Sequence, residues 1–452
     1  MKKMRLTVLV VILVALAQAH ANVFRAKTIR TQSLRQRLLS LSLLCLKQSL
    51  KQLSVAKKLS AVSDSVTIFK GFISRNGKWR SFLKEQKLLR EFGSSGLVDY
   101  FDDFYILNLT LGTPLAAAQA SIFKKDVFLA QWFNVVPDTG SSTVWVTSAF
   151  CGSPACLGVY GYPKQRFNTS LSSTYNKTNY IFHLQYGSGS STGIIGTDFA
   201  SLTYPKQKFG VAFSIATVFG YQPVDGIFGL GWPSLTSSDT VPPMQNILPQ
   251  LDLPLFTVFF KRNYKYSETP HDGGQITFGA LDNEHCSSDI YYVKLSSKSY
   301  WQFILDGVSI GNYTLMEKQI AISDTGTSWI AAPDGAVEKV AVAAGATYNE
   351  KDEIYLIDCE KQTSAPNITL FINGTKFYIP ASEYIIDLNL ESKKCVVTMF
   401  PIIFMGFGPQ WILGATMIRS YCQIYDIGNA QLGFAKAIQE PSTFSNTQTV
   451  TA

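Results

Sequence analysis

The triplet Asp138-Thr139-Gly140 lies within V-V-P-D-T-G-S-S, and it returns as Asp324-Thr325-Gly326 within I-S-D-T-G-T-S, both times in an apolar setting. One such triplet reads as a surface turn, because Asp, Thr and Gly all favour turns. Two of them offer a different chemistry. Carboxylates brought face to face cannot both ionise, so they share a proton and titrate as a pair. The ionised member can take a proton from a water between them while the protonated member hydrogen-bonds a substrate carbonyl. The roles reverse as a leaving amine is protonated. In that arrangement Gly140 and Gly326 let backbone approach carboxylate, and the Thr139 and Thr325 hydroxyls tie the two segments together.

A facing pair needs two equivalent scaffolds. Ser141 follows the first triplet and Thr327 the second; later come Ile227-Phe228-Gly229 and Ile412-Leu413-Gly414. Gly229 follows Asp138 by 91 positions and Gly414 follows Asp324 by 90, so the chain reads as two similar halves. Short runs of Val, Ile, Tyr, Phe and Thr between Gly, Pro, Asn and Ser predict a mostly β protein. At 452 residues, 46% apolar and 16% charged, it is globular and long enough for two lobes with their own cores.

The N-terminus joins M-K-K-M-R to an apolar run, Leu6 to Leu16, and exits through A-Q-A-H-A. This is the pattern of a secretory signal peptide over residues 1–21, too short in its apolar part to span a bilayer. The polar tail, 441–452, carries no lipid-anchor signal. Residues 22–98 hold 16 basic against 3 acidic side chains, whereas the remainder of the chain is net acidic. Charge alone fits either a solvated tail or a propeptide held on an acidic cleft and released in acid. Of seven cysteines, Cys45 lies in the basic leader and six follow it, an even set suited to three disulfides in an exported protein. N-x-S/T sequons at Asn108, Asn168, Asn176, Asn312, Asn367 and Asn373 fit glycosylation.

From about Asp99 to Ile438 the chain resembles the pepsin-like aspartic endopeptidases, nearest their nematode digestive-type members. D-T-G-S-S-T-V-W-V, Y-G-S-G-S-S-T-G, D-G-I-F-G-L-G-W, V-P-P-M-Q-N-I-L, G-G-Q-I-T-F-G-A-L-D and D-T-G-T-S-W-I stand in the family's order. In the leader, S-L-R-Q-R-L and N-G-K-W-R-S-F-L-K resemble its inhibitory propeptide. The resemblance implies a bilobal, mostly β fold with the cleft between two pseudo-twofold-related lobes, 99–286 and 287–440. It implies a zymogen whose propeptide, 22–98, inhibits it, and a monomer acting on proteins or peptides in the secretory pathway, either outside the cell or in a lysosome-like compartment. No cofactor, metal, nucleic acid or membrane anchor is implied. Asp138 and Asp324 match the catalytic pair, and Ser141 and Thr327 the residues that bond their outer oxygens. Tyr186, Gly187 and Ser188 match the tip of a flap over the substrate, and Trp145 the indole that holds the flap tyrosine. Cys151 with Cys156 and Cys359 with Cys395 match the family's small and large loops, leaving Cys286 with Cys422.

Three departures stand out. Residues 115–129 separate Pro114 from Ala130, and removing these 15 residues restores G-T-P-A-Q-W-F-N-V-V-P-D-T-G-S-S, as though an in-frame intron had been translated. The leader is stretched in a similar way within residues 39–72. Pro137 removes an N–H from a strand that should be central, which predicts a gap in the ladder or a weakened site. Ala415 in I-L-G-A stands where acid-working relatives carry Asp, so the pH profile should differ from that of an Ala415→Asp variant. Two rival readings are a serine-hydrolase elbow at Gly189-Ser190-Ser191-Thr192-Gly193, which needs a helix after it where the sequence alternates like a strand, and a peptide-binding protein on the same fold that does not cleave.

Overall fold

The two halves of the sequence build the same motif. The structure is a computed structural model that describes residues 24–31, 104–113, 130–159, 162–187, 189–201, 203–236, 240–262, 271–402 and 408–439. In the first half, strand Gln131–Asp138 runs parallel to Gly226–Gly229, with Asp138 opposite Gly229, and Gly226–Gly229 runs antiparallel to Trp145–Thr147. In the second, Gln319–Ser323 runs parallel to Trp411–Leu413, and Trp411–Leu413 antiparallel to Ile330–Ala332. The apolar-apolar-Gly landmarks are therefore the strands that lie beside each Asp-Thr-Gly. Their glycines are dictated by packing: a Cβ on Gly229 would fall 2.5 Å from the Thr143 nitrogen, and one on Gly414 would fall 2.1 Å from the Thr327 carbonyl oxygen.

These strands are apolar because they are covered on both faces. Phe133, Val135, Val144, Val146, Phe228 and Leu230 are buried in the first half, and Ala321, Ile322, Ile330, Ala331, Ile412 and Leu413 in the second. A thirteen-stranded sheet contains both the first Asp-Thr-Gly strand and the chain's last two strands, Tyr421–Asp426 and Gln431–Ala437. Three further sheets of six, four and four strands complete the second half, so the fold is the mostly β, bilobal one. Among the described residues the longest helix is Asp334–Ala344, closed by Gly345 at φ +92°, and none is long and apolar enough to cross a membrane. Disulfides join Cys151 to Cys156, Cys286 to Cys422 and Cys359 to Cys395. The bridge spanning 136 residues ties strand Cys286–Lys294 to strand Tyr421–Asp426.

The expected signal peptide, Cys45, Ser188, segment 115–129 and the tail beyond 439 lie outside the described residues, as does the leader except for one strand. That strand, Phe24–Thr31, pairs antiparallel with His271–Phe278 on one side and with Phe104–Leu111 on the other. Basic leader sequence thus sits inside the sheet that the two halves share.

Segment 115–129 falls between two paired strands, since Leu111 lies opposite Gln131 in an antiparallel ladder. Without it, Gly112, Thr113, Pro114 and Ala130 would remain, an ordinary length for a hairpin loop. Deleting residues 115–129 is expected to leave urea stability and peptide turnover within about twofold of the parent, because neither ladder loses a pair. An unfolded or inactive deletion variant would show that the segment is structural. Tryptic peptides from the purified protein that cover it would rule out an intron.

Candidate active site

Asp138 ends its strand and Asp324 immediately follows Gln319–Ser323, so both carboxyl groups emerge where a strand gives way to a turn. Each turn holds its own carboxylate. The Gly140 amide donates to Asp138 Oδ1 at 2.9 Å and the Gly326 amide to Asp324 Oδ1 at 2.9 Å. Ser141 Oγ donates to Asp138 Oδ2, and Thr327 Oγ1 to Asp324 Oδ2 at 2.6 Å.

The two turns are then locked to each other. Thr139 N–H donates to Thr325 Oγ1 at 3.0 Å, and Thr325 N–H donates to Thr139 Oγ1 at 2.9 Å. Thr139 Oγ1 donates to the carbonyl of Ser323 at 2.9 Å, and Thr325 Oγ1 to the carbonyl of Pro137 at 2.6 Å. Each threonine therefore grips the backbone just before the opposite aspartate. Glycine is required on both sides: a Cβ on Gly140 would lie 2.7 Å from the Asp324 carboxylate oxygens, and one on Gly326 would lie 2.4 Å from Asp138 Oδ1.

Asp138 is 6% exposed and Asp324 3%. Burial lifts both carboxyls above their ordinary range, and for Asp138 the charge of Asp324 adds to it. Loss of one proton makes loss of the second harder, so the pair holds one proton well above the usual carboxylate range.

Pro137 leaves this geometry intact. Asp225 N–H bonds the Asn134 carbonyl and Leu230 N–H the Asp138 carbonyl, both at 2.7 Å, so the even-numbered residues face the parallel neighbour. Pro137 faces the other way, where the antiparallel pairing with Phe104–Leu111 has already ended at Leu107 opposite Val135. The missing N–H costs no bond in the parallel ladder, and the proline carbonyl serves the Thr325 grip.

Above the pair, Asn176–Tyr186 and Gly189–Ala200 form an antiparallel hairpin with Tyr186 and Gly187 at its tip. Trp145 Nε1 donates to the Tyr186 hydroxyl at 2.9 Å, and Phe219 packs edge-on against both rings. Burial, and then the Asp138 charge, push the Tyr186 hydroxyl's pKa up, so the phenol keeps its proton. The Gly189–Gly193 elbow reading fails here, because Gly189–Ala200 is a strand with no helix after the serines.

A family model described as eukaryotic aspartyl protease matches residues 129–437. The chain belongs to the eukaryotic aspartyl proteases. This aspartyl protease is 45% identical to aspartic protease 1 of Caenorhabditis elegans over 378 residues, which is 81% of this chain and 91% of that one. It is 35% identical to cathepsin E of Cavia porcellus, covering 76% and 83% of the two chains. With pepsin A of Callithrix jacchus the identity is 31%, over 88% and 98%. The match to the family model starts at residue 129, where the 115–129 segment ends.

Several residues beside the pair went unmarked in the sequence. The Tyr300 hydroxyl has its pKa raised by burial and then by the charges of Asp324 and Asp138. No short motif surrounds it. Ser323 carried a faint signal, as the polar residue that follows the apolar run I-A-I in Q-I-A-I-S. Among the described residues the one group of potential metal ligands is Cys359, Cys395 and Asp387, and its two sulfurs are spent in a disulfide.

Ala415 is buried, and its amide donates to the carbonyl of Thr327, the residue that bonds the outer oxygen of Asp324. A carboxylate placed there sits one residue's contact from the pair. The pH profile of kcat/KM for Ala415→Asp is expected to be displaced from the parent's, measured on one substrate across an acid series; superimposable profiles would refute the coupling.

Proposed function

We propose that Asp138 and Asp324 are the catalytic pair of an acid endopeptidase made as a zymogen. The observation that carries this reading is the reciprocal Thr139–Thr325 grip, which puts two buried carboxyls face to face with a glycine of each turn against the opposite carboxylate. In the working state one carboxyl is ionised and the other protonated. The ionised one removes a proton from a bound water as its oxygen attacks the peptide carbonyl carbon, and the protonated one donates to the carbonyl oxygen. The tetrahedral intermediate collapses as its nitrogen takes a proton and the C–N bond breaks. Tyr186 and Gly187, with Ser188 beyond them in the chain, close over the substrate and exclude water, with Trp145 holding the tyrosine.

The substrate is a protein or peptide bound as an extended strand, read through main-chain hydrogen bonds and apolar pockets. The basic leader acts as the inhibitor, and the strand Phe24–Thr31 supports this by anchoring it between Phe104–Leu111 and His271–Phe278. Protonation of acidic groups on the body then weakens its hold. The protein works in the secretory pathway, outside the cell or in a lysosome-like compartment. Turnover of quenched peptides across an acid pH series tests the reading: cleavage is expected to be blocked by pepstatin and to vanish in Asp138→Asn. Cleavage that ignores either would sink it.

A further inference from the structure

Beneath the grip lies a second, wholly buried set of polar groups that the mechanism above does not use. Ser323 Oγ lies 2.8 Å from the Tyr425 hydroxyl and donates to Gln423 Oε1 at 3.2 Å. Gln423 is oriented by its own amide, which donates from Nε2 to the carbonyl of Tyr421 at 2.8 Å, turning Oε1 toward the serine. Ser323 is 1% exposed, and Tyr425 and Gln423 are 0% exposed. Three polar side chains in so dry a place are costly unless each is satisfied by the others.

The protons can be assigned. A serine hydroxyl has one proton and Gln423 Oε1 takes it, so the phenol of Tyr425 donates its proton to Ser323 Oγ. Burial raises the Tyr425 hydroxyl's pKa, so that proton stays in place at any working pH. The phenol oxygen also faces the side chain of Thr139. It thus meets the grip twice, at Thr139 and at Ser323, whose carbonyl accepts from Thr139 Oγ1. The ring is fixed by stacking on Phe256 at 4.6 Å and by an edge contact with Trp301 at 4.9 Å.

We infer that Tyr425, with Ser323 and Gln423, is a positioning residue for hydrolysis: the chain Gln423–Ser323–Tyr425 fixes Thr139 and the backbone before Asp324, and so the spacing of the two carboxyls. Tyr425 sits on strand Tyr421–Asp426, which pairs with Leu255–Phe260 in the sheet shared by both halves. The chain therefore ties the pair to the central sheet. Without it the Thr139–Thr325 bonds remain but lose their lower support. Binding the substrate needs only the cleft, whereas reaching the transition state needs the carboxyls held to a fraction of an ångström.

This inference rests on Asp138 and Asp324 being the catalytic pair. The experiment compares the acid-activated parent, Asp138→Asn, Tyr425→Phe, Ser323→Ala and the Tyr425→Phe/Ser323→Ala double variant, each normalised by pepstatin titration of competent sites where it binds. Tyr425→Phe keeps the ring packing and removes one oxygen. It is expected to lower kcat about tenfold with KM unchanged. Ser323→Ala should do the same, and the double variant should lose no more than either single one, because the three groups act as a unit. Unchanged kcat in both single variants, a change confined to KM, or fully additive losses would overturn the positioning role. Undiminished turnover by Asp138→Asn would instead overturn the assignment of the catalytic pair.

Discussion

Asp138→Asn is expected to lower kcat/KM by about 10³- to 10⁴-fold with little change in fold. Asn has the shape of Asp and its carbonyl oxygen still accepts from the Gly140 amide, so the turn is retained. Two functions are lost together. An amide takes no proton from water, so the base is gone. Asp324 also stops facing a neighbouring negative charge, so its proton is less firmly held and the protonated form that acts as the acid is less populated. The Ser141 hydroxyl, which donates to Asp138 Oδ2, then faces an N–H in one amide orientation and must turn away. Asp324→Asn should cost a similar amount by the mirror-image argument, and the double variant should be no worse than either single one. Steady-state kinetics on one peptide, with circular dichroism to verify folding, checks this. A loss under tenfold would mean that the carboxyls are not a working pair.

The sequence made the pair legible because its chemistry is local. Asp-Thr-Gly is three consecutive residues, and its repetition with an equally spaced apolar-apolar-Gly announced two copies of one motif before any strand was placed. The mostly β character followed from the same punctuation. What stayed hidden depends on residues brought together from far apart. Tyr425 lies 102 positions from Ser323, and nothing in Y-C-Q-I-Y-D marks it as touching the site. Pro137 left two outcomes open for a related reason, and the structure shows the gap, the antiparallel ladder ending at Leu107 opposite Val135. A proline in a central strand is costly only on the side where an N–H is needed, and which side it faces is a property of the sheet, not of the residue. The insert was visible as an interruption of a familiar string, but only the pairing of Leu111 with Gln131 shows that it leaves from a hairpin end.

Folding stability is expected to fall as pH rises from about 4 to about 6, by about 3 kcal/mol from Asp225 alone. Asp225 is buried beside the strand Gln131–Asp138, where it accepts from the amides of Asn134 and Gln165, each at 2.8 Å. Burial raises its carboxyl from 3.8 to about 6, against the lowering effect of those amides and of the Lys164 ammonium. The sign follows from proton counting. Between the two values the folded chain holds a proton that the unfolded chain has released, so raising the pH favours the unfolded chain. The carboxyls of Asp138 and Asp324, also raised, add to the fall. Asp358, held low by Lys394, opposes it, but from the surface, where such pairs contribute little. Lys164 gives no relief at neutral pH. Burial lowers its ammonium to about 8, so its contribution begins to recover only above that value. Urea unfolding at a series of pH values, in an Asp138→Asn background to prevent self-digestion, measures the slope. Lys164→Met/Asp225→Asn should flatten the window by removing its main titrating group while leaving the leader's charge untouched. An unaltered slope in that variant would assign the pH dependence to groups other than the buried Lys164 and Asp225.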